Sequence, residues 1–256
     1  MIWTNLYRRW RAKRSAVPEA LWTRTLRSSP YAQTLPAGER QRLREIAARF
    51  LATKSLEGAA GVAVTAVMRA RIALHACLPI LNLGLDYYSG WVSIVIYPGD
   101  FRVPGEYVDE LGVVHRGMMD LCGQSMAQGP MVLSWEAMQE EDRAPSDRDL
   151  VIHECAHKLD VLNGDANGFP PLHAGMNPRE WSQDFQAAYD RMRNAVDADR
   201  PGNIDPYAAE NPAEFFAVMS ETFFTAPYLI QNEFPAVYAQ LHRFYRQDPY
   251  RLLPRK

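Results

Sequence analysis

Two histidines and a glutamate stand at a spacing that suits metal chemistry in the stretch Val151-Ile152-His153-Glu154-Cys155-Ala156-His157. On a helix, residues i and i+4 lie one above the other, so both imidazoles can reach one ion. Glu154 is then held beside the ion rather than on it. This is the H-E-x-x-H arrangement, in which His153 and His157 are ligands of Zn2+ and Glu154 is a general base. The chemistry it suits is metal-assisted hydrolysis.

The element that must position these groups is a helix. Pro145-Ser146-Asp147-Arg148-Asp149 has the composition of a helix start, with Ser146 as N-cap and acidic residues in the first turn. Leu150, Val151, Ile152, Leu159, Val161 and Leu162 are apolar around most of the helix, which predicts burial. Asn163-Gly164 stops it, with Gly164 suited to a left-handed position. Two histidines and a glutamate on a buried helix need partners, because unpaired buried polar groups are costly. Cys155 faces away from the histidine side and reads as a small buried apolar residue.

A catalytic zinc site needs a third protein ligand and an open position. The downstream candidates are His173, Glu210, Glu214 and Glu221. His173 follows His157 by sixteen residues, and Gly164 and Gly168 allow the chain to turn back. Glu214 would project from the first turn of an apolar helix, although it also fits as the capping-box partner of Asn211. Glu221 lies two turns later on the same face. The residues alone place Glu214 ahead of Glu221 and leave both open. Asp160, one turn past His157, could orient a ligand histidine.

The chain has 256 residues, enough for a sizeable core. It is 47% hydrophobic and 23% charged with a net charge of −2, which argues against nucleic-acid binding by bulk charge. Cys77, Cys122 and Cys155 form neither a disulfide framework nor a C-x-x-C site, so a reducing, cytoplasmic location is expected. No secretory signal is visible. No apolar run reaches membrane-spanning length, since even Ile72 to Leu85 contains His75 and Pro79.

Residues 1–36 read as a basic arm, with Arg8, Arg9, Arg11, Lys13 and Arg14 among Trp3, Tyr7 and Trp10. Its plain reading is a solvated arm; contact with an anionic membrane or an acidic partner is the alternative. Residues 37–256 form one domain. Helices are expected at 39–54 and 65–77, and strands at 91–97, near 112–116 and at 131–135. Asn177-Pro178-Arg179-Glu180 and Asn211-Pro212-Ala213-Glu214 each start a helix with Asn as N-cap and Pro at N1. A last helix covers about 235–246. A small sheet, then the motif helix, then helices gives an α+β class. The strand from Gly129 to Trp135 is a candidate to hold a peptide by strand addition.

His153-Glu154-Cys155-Ala156-His157-Lys158-Leu159-Asp160 with Leu162-Asn163-Gly164-Asp165 resembles the Mlc titration factor A family of bacterial zinc peptidases. So do Asp205-Pro206-Tyr207-Ala208-Ala209, Asn211 to Val218, Ile96-Tyr97-Pro98, Gly123-Gln124-Ser125 and Phe244 to Pro249. The resemblance runs from about residue 40 onward and leaves the basic arm unmatched. The Tyr207/Glu214 spacing also resembles lethal-factor-like zinc peptidases, in which a tyrosine precedes the glutamate ligand by seven residues. The resemblance implies a zincin-like fold, zinc held by His153, His157 and Glu214, Glu154 as base, and Tyr207 facing the oxyanion. It further implies aminopeptidase activity on small peptides. It also implies association with Mlc, a transcriptional repressor of sugar-uptake genes, which the protein could sequester without cleaving. Without the resemblance, Tyr207 reads as an ordinary tyrosine in a Pro-rich loop.

Overall fold

A computed structural model describes residues 17–99, 102–108, 114–120, 129–143 and 147–253. The basic cluster from Arg8 to Arg14, Cys122, Gly123-Gln124-Ser125 and Ser146 lie outside these residues. The described chain is mostly helical around a small sheet, an α+β protein. It opens with α1 (Glu19–Thr25), α2 (Pro30–Thr34) and α3 (Ala37–Thr53). Then come β1 (Ser55–Gly58), α4 (Ala66–Cys77) and β2 (Ser93–Tyr97). The β3 (Arg102–Val108) and β4 (Val114–Asp120) strands pair antiparallel as a separate hairpin. They are followed by β5 (Met131–Ser134) and α5 (Trp135–Arg143). The remainder is helical: α6 (Leu150–Asp160), α7 (Pro178–Asp197), α8 (Pro212–Thr225), α9 (Pro227–Glu233), α10 (Pro235–Tyr245) and α11 (Pro249–Leu252).

The three-stranded sheet has the order β1-β2-β5 and is parallel throughout, with Ser55 opposite Ser93 and Ile94 opposite Met131. Ile94 and Ile96 alternate inward from the central strand and are fully buried. The expected strands at 91–97, near 112–116 and at 131–135 are thus present. The sequence reading passed over β1, a four-residue strand whose one buried residue is Leu56. Among the described residues β5 has an unpaired edge.

Residues 17–36, assigned to the arm from sequence, are packed into the core. Trp22, Tyr31 and Leu35 are buried, and the Tyr31 hydroxyl donates to Gln247 at 3.2 Å. Proline spacing and scattered charges concealed them: short helices between prolines carry too few turns to show a period. Only residues before 17 retain the character of an arm in sequence.

The helix that carries the motif is enclosed, with Val151 to Asp160 all buried. Its N-cap is Asp149, whose side chain accepts from the Ile152 N–H at 3.0 Å, rather than Ser146. The helix therefore starts at Leu150, and Asp147 stands outside its first turn. A short 3₁₀ turn, Val161–Asn163, carries the chain to Gly164 at φ 133°. Lys158, fully buried, donates to the Gly129 carbonyl at 2.9 Å and so ties this helix to the approach to β5.

Beneath α6 an aromatic cluster sets the course of α7, α8 and α10. Trp181 stacks on Phe185 at 4.2 Å between ring centres, and Phe216 and Phe244 pack at its other faces. Rings of this size contribute the largest share of apolar burial in such a core. The loop after α6 is pinned to this cluster, since the Trp181 indole N–H donates to the Gly168 carbonyl at 3.1 Å. Gly168 has φ +75°, and a Cβ there would fall 2.5 Å from the Pro212 carbonyl oxygen. Only glycine lets this loop cross the start of α8 so closely.

Candidate metal centre

His153 and His157 project from one face of α6, and Glu214 meets them from the first turn of α8. Asn211 caps α8, its side-chain oxygen accepting from the Ala213 and Glu214 N–H groups at 2.9 and 3.0 Å. Pro212 occupies the first turn, where no donor is needed. The Glu214 carboxylate does not turn back to the cap, the alternative that sequence left open. It points to the histidines instead.

His153 Nε2 lies 3.1 Å from Glu214 Oε2, His157 Nε2 lies 3.3 Å from the same oxygen, and the two Nε2 atoms are 3.2 Å apart. Ligands at about 2.0–2.1 Å around a tetrahedral ion are about 3.3 Å from one another. The three donor atoms therefore have the mutual spacing that one metal ion requires, and they are buried. A fourth group bears on the fit. Glu154 is 1% exposed, and its Oε1 makes no hydrogen bond with any described residue. A buried carboxylate oxygen aligned with no protein donor suits a group whose partner is a bound water or substrate. Two imidazoles and a carboxylate at this spacing, beside a second buried carboxylate, fit a catalytic metal site.

Burial alone would lower the His153 pKa, but hydrogen bonds donated to the Glu214 and Glu221 carboxylates outweigh it and raise the pKa to about 10. Burial would raise Glu214, yet His153 and His157 hold it down to about 2. Glu154 is raised by burial, partly offset by the two histidines. Three donor atoms converging on one point could hold a cation, and a metal bound there would displace the proton.

The other candidates separate clearly. Glu221 stands 3.1 Å from His153 Nδ1, the opposite edge of the ring from Glu214 and His157. It cannot share an ion with them. His173 is turned elsewhere: its ring is hydrogen-bonded to the Tyr87 hydroxyl and the Phe244 carbonyl and stacks on Phe244. Asp160 accepts from the Gly168 N–H at 2.8 Å, so its observed bond fixes the loop after α6 rather than a ring nitrogen. Burial raises its pKa to about 6, against the opposing pull of that N–H and of His157. Cys155 is buried as expected, and burial raises its thiol pKa to about 12, so it is an apolar filler.

Tyr207 sits on the 3₁₀ turn Pro206–Ala209, with its ring centre 6.3 Å from that of His153. It is 46% exposed, the value that places it at the mouth of the site rather than in the core. Asp205 caps this turn, accepting from the Tyr207 N–H at 3.0 Å. Sequence reasoning missed the groups behind the histidines. Asp149, His75 and Arg71 with Glu141 form a buried polar cluster at the start of α6. The one available signal was Arg71 and His75 standing among the apolar residues Ile72, Ala73, Leu74 and Ala76 of α4.

Fold and site together define an α+β protein with a His-His-Glu group able to hold a metal, beside a second buried carboxylate. The chain belongs to the family described as Glucose-regulated metallo-peptidase M90, whose sequence model it matches over residues 3–246. It is similar to the protein named Mlc titration factor A of Yersinia pestis, 42% identical over 250 residues that cover 96% of this chain and 92% of the relative. The Mlc titration factor A of Yersinia pseudotuberculosis matches with the same 42% identity and the same coverage. Among the described residues no helix is long and apolar enough to cross a membrane.

Proposed function

We propose that this chain is a zinc-dependent peptidase with a zincin-like fold, hydrolysing small peptides in an aminopeptidase-like manner in the cytoplasm. The observation that carries the reading is the meeting of His153 Nε2, His157 Nε2 and Glu214 Oε2 within 3.1–3.3 Å of one another, beside the Glu154 oxygen that has no partner among the described residues. His153, His157 and Glu214 would hold Zn2+. A zinc ion in that position supplies Lewis acidity and a water whose pKa is lowered to about 7.

The protein's own groups do the rest. Glu154 takes the proton of the attacking water; its raised pKa, a consequence of burial, suits it to receive and then release that proton. It delivers the proton to the leaving amine. The Tyr207 hydroxyl, at the rim, donates to the carbonyl oxygen as negative charge develops there. The edge of β5 that is unpaired among the described residues, within the Gly129–Trp135 segment, holds the peptide backbone by strand addition.

A second, compatible reading is regulatory. The relatives carry the name Mlc titration factor A, which favours an Mlc-type repressor as a binding partner here. In the non-catalytic form of this reading, the chain sequesters the repressor without cleaving anything.

Metal analysis combined with a peptide-library cleavage screen separates these readings. Wild type should bind about one zinc and cleave, and Glu154→Gln should keep the metal and lose at least about a hundredfold in rate. A Glu154→Gln protein that cleaves normally would sink the catalytic assignment. Repressor capture by both proteins without cleavage by either would leave the sequestering reading alone.

A further inference from the structure

Glu221 is 7% exposed and lies on α8 two turns beyond Glu214. We propose that Glu221 is the positioning residue of the metal centre, fixing the His153 ring with Nδ1 protonated and Nε2 free for the ion while locking that ring to the start of α6. The role rests on the metallopeptidase reading above, and goes beyond it by assigning a group that never touches metal or substrate.

The two carboxylate oxygens are divided between two donors. Oε2 lies 3.1 Å from His153 Nδ1, and Oε1 accepts the backbone N–H of Asp149. An ionised carboxylate only accepts, so the contact to the ring is made by an Nδ1–H. A neutral imidazole with that proton has its lone pair at Nε2, on the side where His157 and Glu214 wait. Burial keeps water from competing for either bond. A carboxylate behind a ligand histidine also raises the basicity of the ring toward a metal.

The bond to Asp149 adds a mechanical link. The first N–H groups of α6 are taken by three carboxylates. Asp149 N–H goes to Glu221, Leu150 N–H to Glu141 at 2.8 Å, and Ile152 N–H to Asp149 itself at 3.0 Å. His75 is hydrogen-bonded to Asp149, and Arg71 forms an ion pair with Glu141 at 3.1 Å. Of these three carboxylates only Glu221 also holds a ligand ring. Glu141 supports the same helix start without touching the centre, which makes it the natural control.

Zinc affinity, read by competition with a chromogenic chelator, tests the assignment on wild type, Glu221→Gln and Glu141→Gln. Glu221→Gln should bind zinc about 10–100-fold more weakly, and Glu141→Gln should stay within about threefold of wild type. Wild-type zinc affinity in Glu221→Gln, with Glu214→Ala still deficient, would overturn the positioning role and leave the zinc site standing. Equal losses in Glu221→Gln and Glu141→Gln would also overturn it, because the effect would then act through the helix start alone. A wild-type protein that takes up no zinc would remove both readings. Should Glu221→Gln not fold, nitrogen NMR of the histidine rings in zinc-loaded wild type decides: Nδ1 protonated and Nε2 ligated on His153 supports the proposal, and the reverse tautomer overturns it.

Discussion

Arg148 reaches Asp205 at 2.6 Å and so joins the residue just ahead of the metal helix to the turn that carries Tyr207. The other oxygen of Asp205 accepts the Tyr207 N–H at 3.0 Å. One carboxylate thus ties the rim tyrosine to the element that bears His153. Arg148 is 70% exposed at its side chain, so the ion pair contributes little to stability, under about 1 kcal/mol. Its effect should be on geometry. Asp205→Ala removes both the cap and the pair, and we expect kcat to fall about tenfold or more with little change in zinc affinity. Steady-state kinetics beside metal titration checks this; a loss of zinc affinity equal to the loss of rate would refute it.

Glu214 is the proposed third ligand. Glu214→Ala should weaken zinc binding by at least about a hundredfold, because two imidazoles alone make a poor zinc site. His173→Ala should leave zinc affinity unchanged, since His173 is held by Tyr87 and Phe244 away from the centre. Chelator competition on both variants provides the measurement.

The metal-free protein should be pH-sensitive in a defined direction. His153 is raised from 6.5 to about 10, so its contribution is fully present below about pH 6.5 and is lost as pH rises through about 10. Glu214 is lowered from 4.5 to about 2, so its contribution is present above about pH 4.5 and is lost as pH falls through about 2. Denaturant unfolding of chelator-treated protein should therefore weaken from pH 7 to pH 10. Zinc replaces the His153 proton, so the loaded protein should show a smaller decline over that window, and zinc uptake near pH 8 should release about one proton. Calorimetry in buffers of different ionisation enthalpy reads that release.

Gly168→Ala should be among the more damaging single changes outside the centre. Its φ of +75° strains any side chain, and the new Cβ would press on the Pro212 carbonyl. A loss of about 2–3 kcal/mol in unfolding free energy is expected. Because Pro212 opens the helix that bears Glu214, zinc affinity should fall as well. A fully stable variant with normal metal binding would contradict this account of the loop.

Much of the fold was legible where the pattern was long. The period of Leu43, Ile46, Ala47, Phe50 and Leu51 predicted a helix over 39–54, and Ala37–Thr53 forms it. Asn177 and Asn211, each followed by proline, marked the starts of α7 and α8. At Asn177 the side chain caps as expected, but Glu180 meets its amide at 3.1 Å rather than its backbone N–H. Short elements escaped: β1 shows too little of a pattern, and α1 and α2 are hidden between prolines.

By itself the sequence determined the pair His153 and His157 and the neighbouring Glu154, because four residues on a helix fix which side chains share a face. It also narrowed the third acceptor to a few residues. The residues alone placed Glu214 ahead of Glu221 but left both open, since the two lie on one face of one helix, and only the family resemblance pointed to Glu214. The packing of α8 against α6 separates the two carboxylates. It sets Glu214 at the Nε2 edge of His153 and Glu221 at the Nδ1 edge, on opposite sides of a single ring. That difference is a property of how two helices cross, and no interval along the chain encodes it.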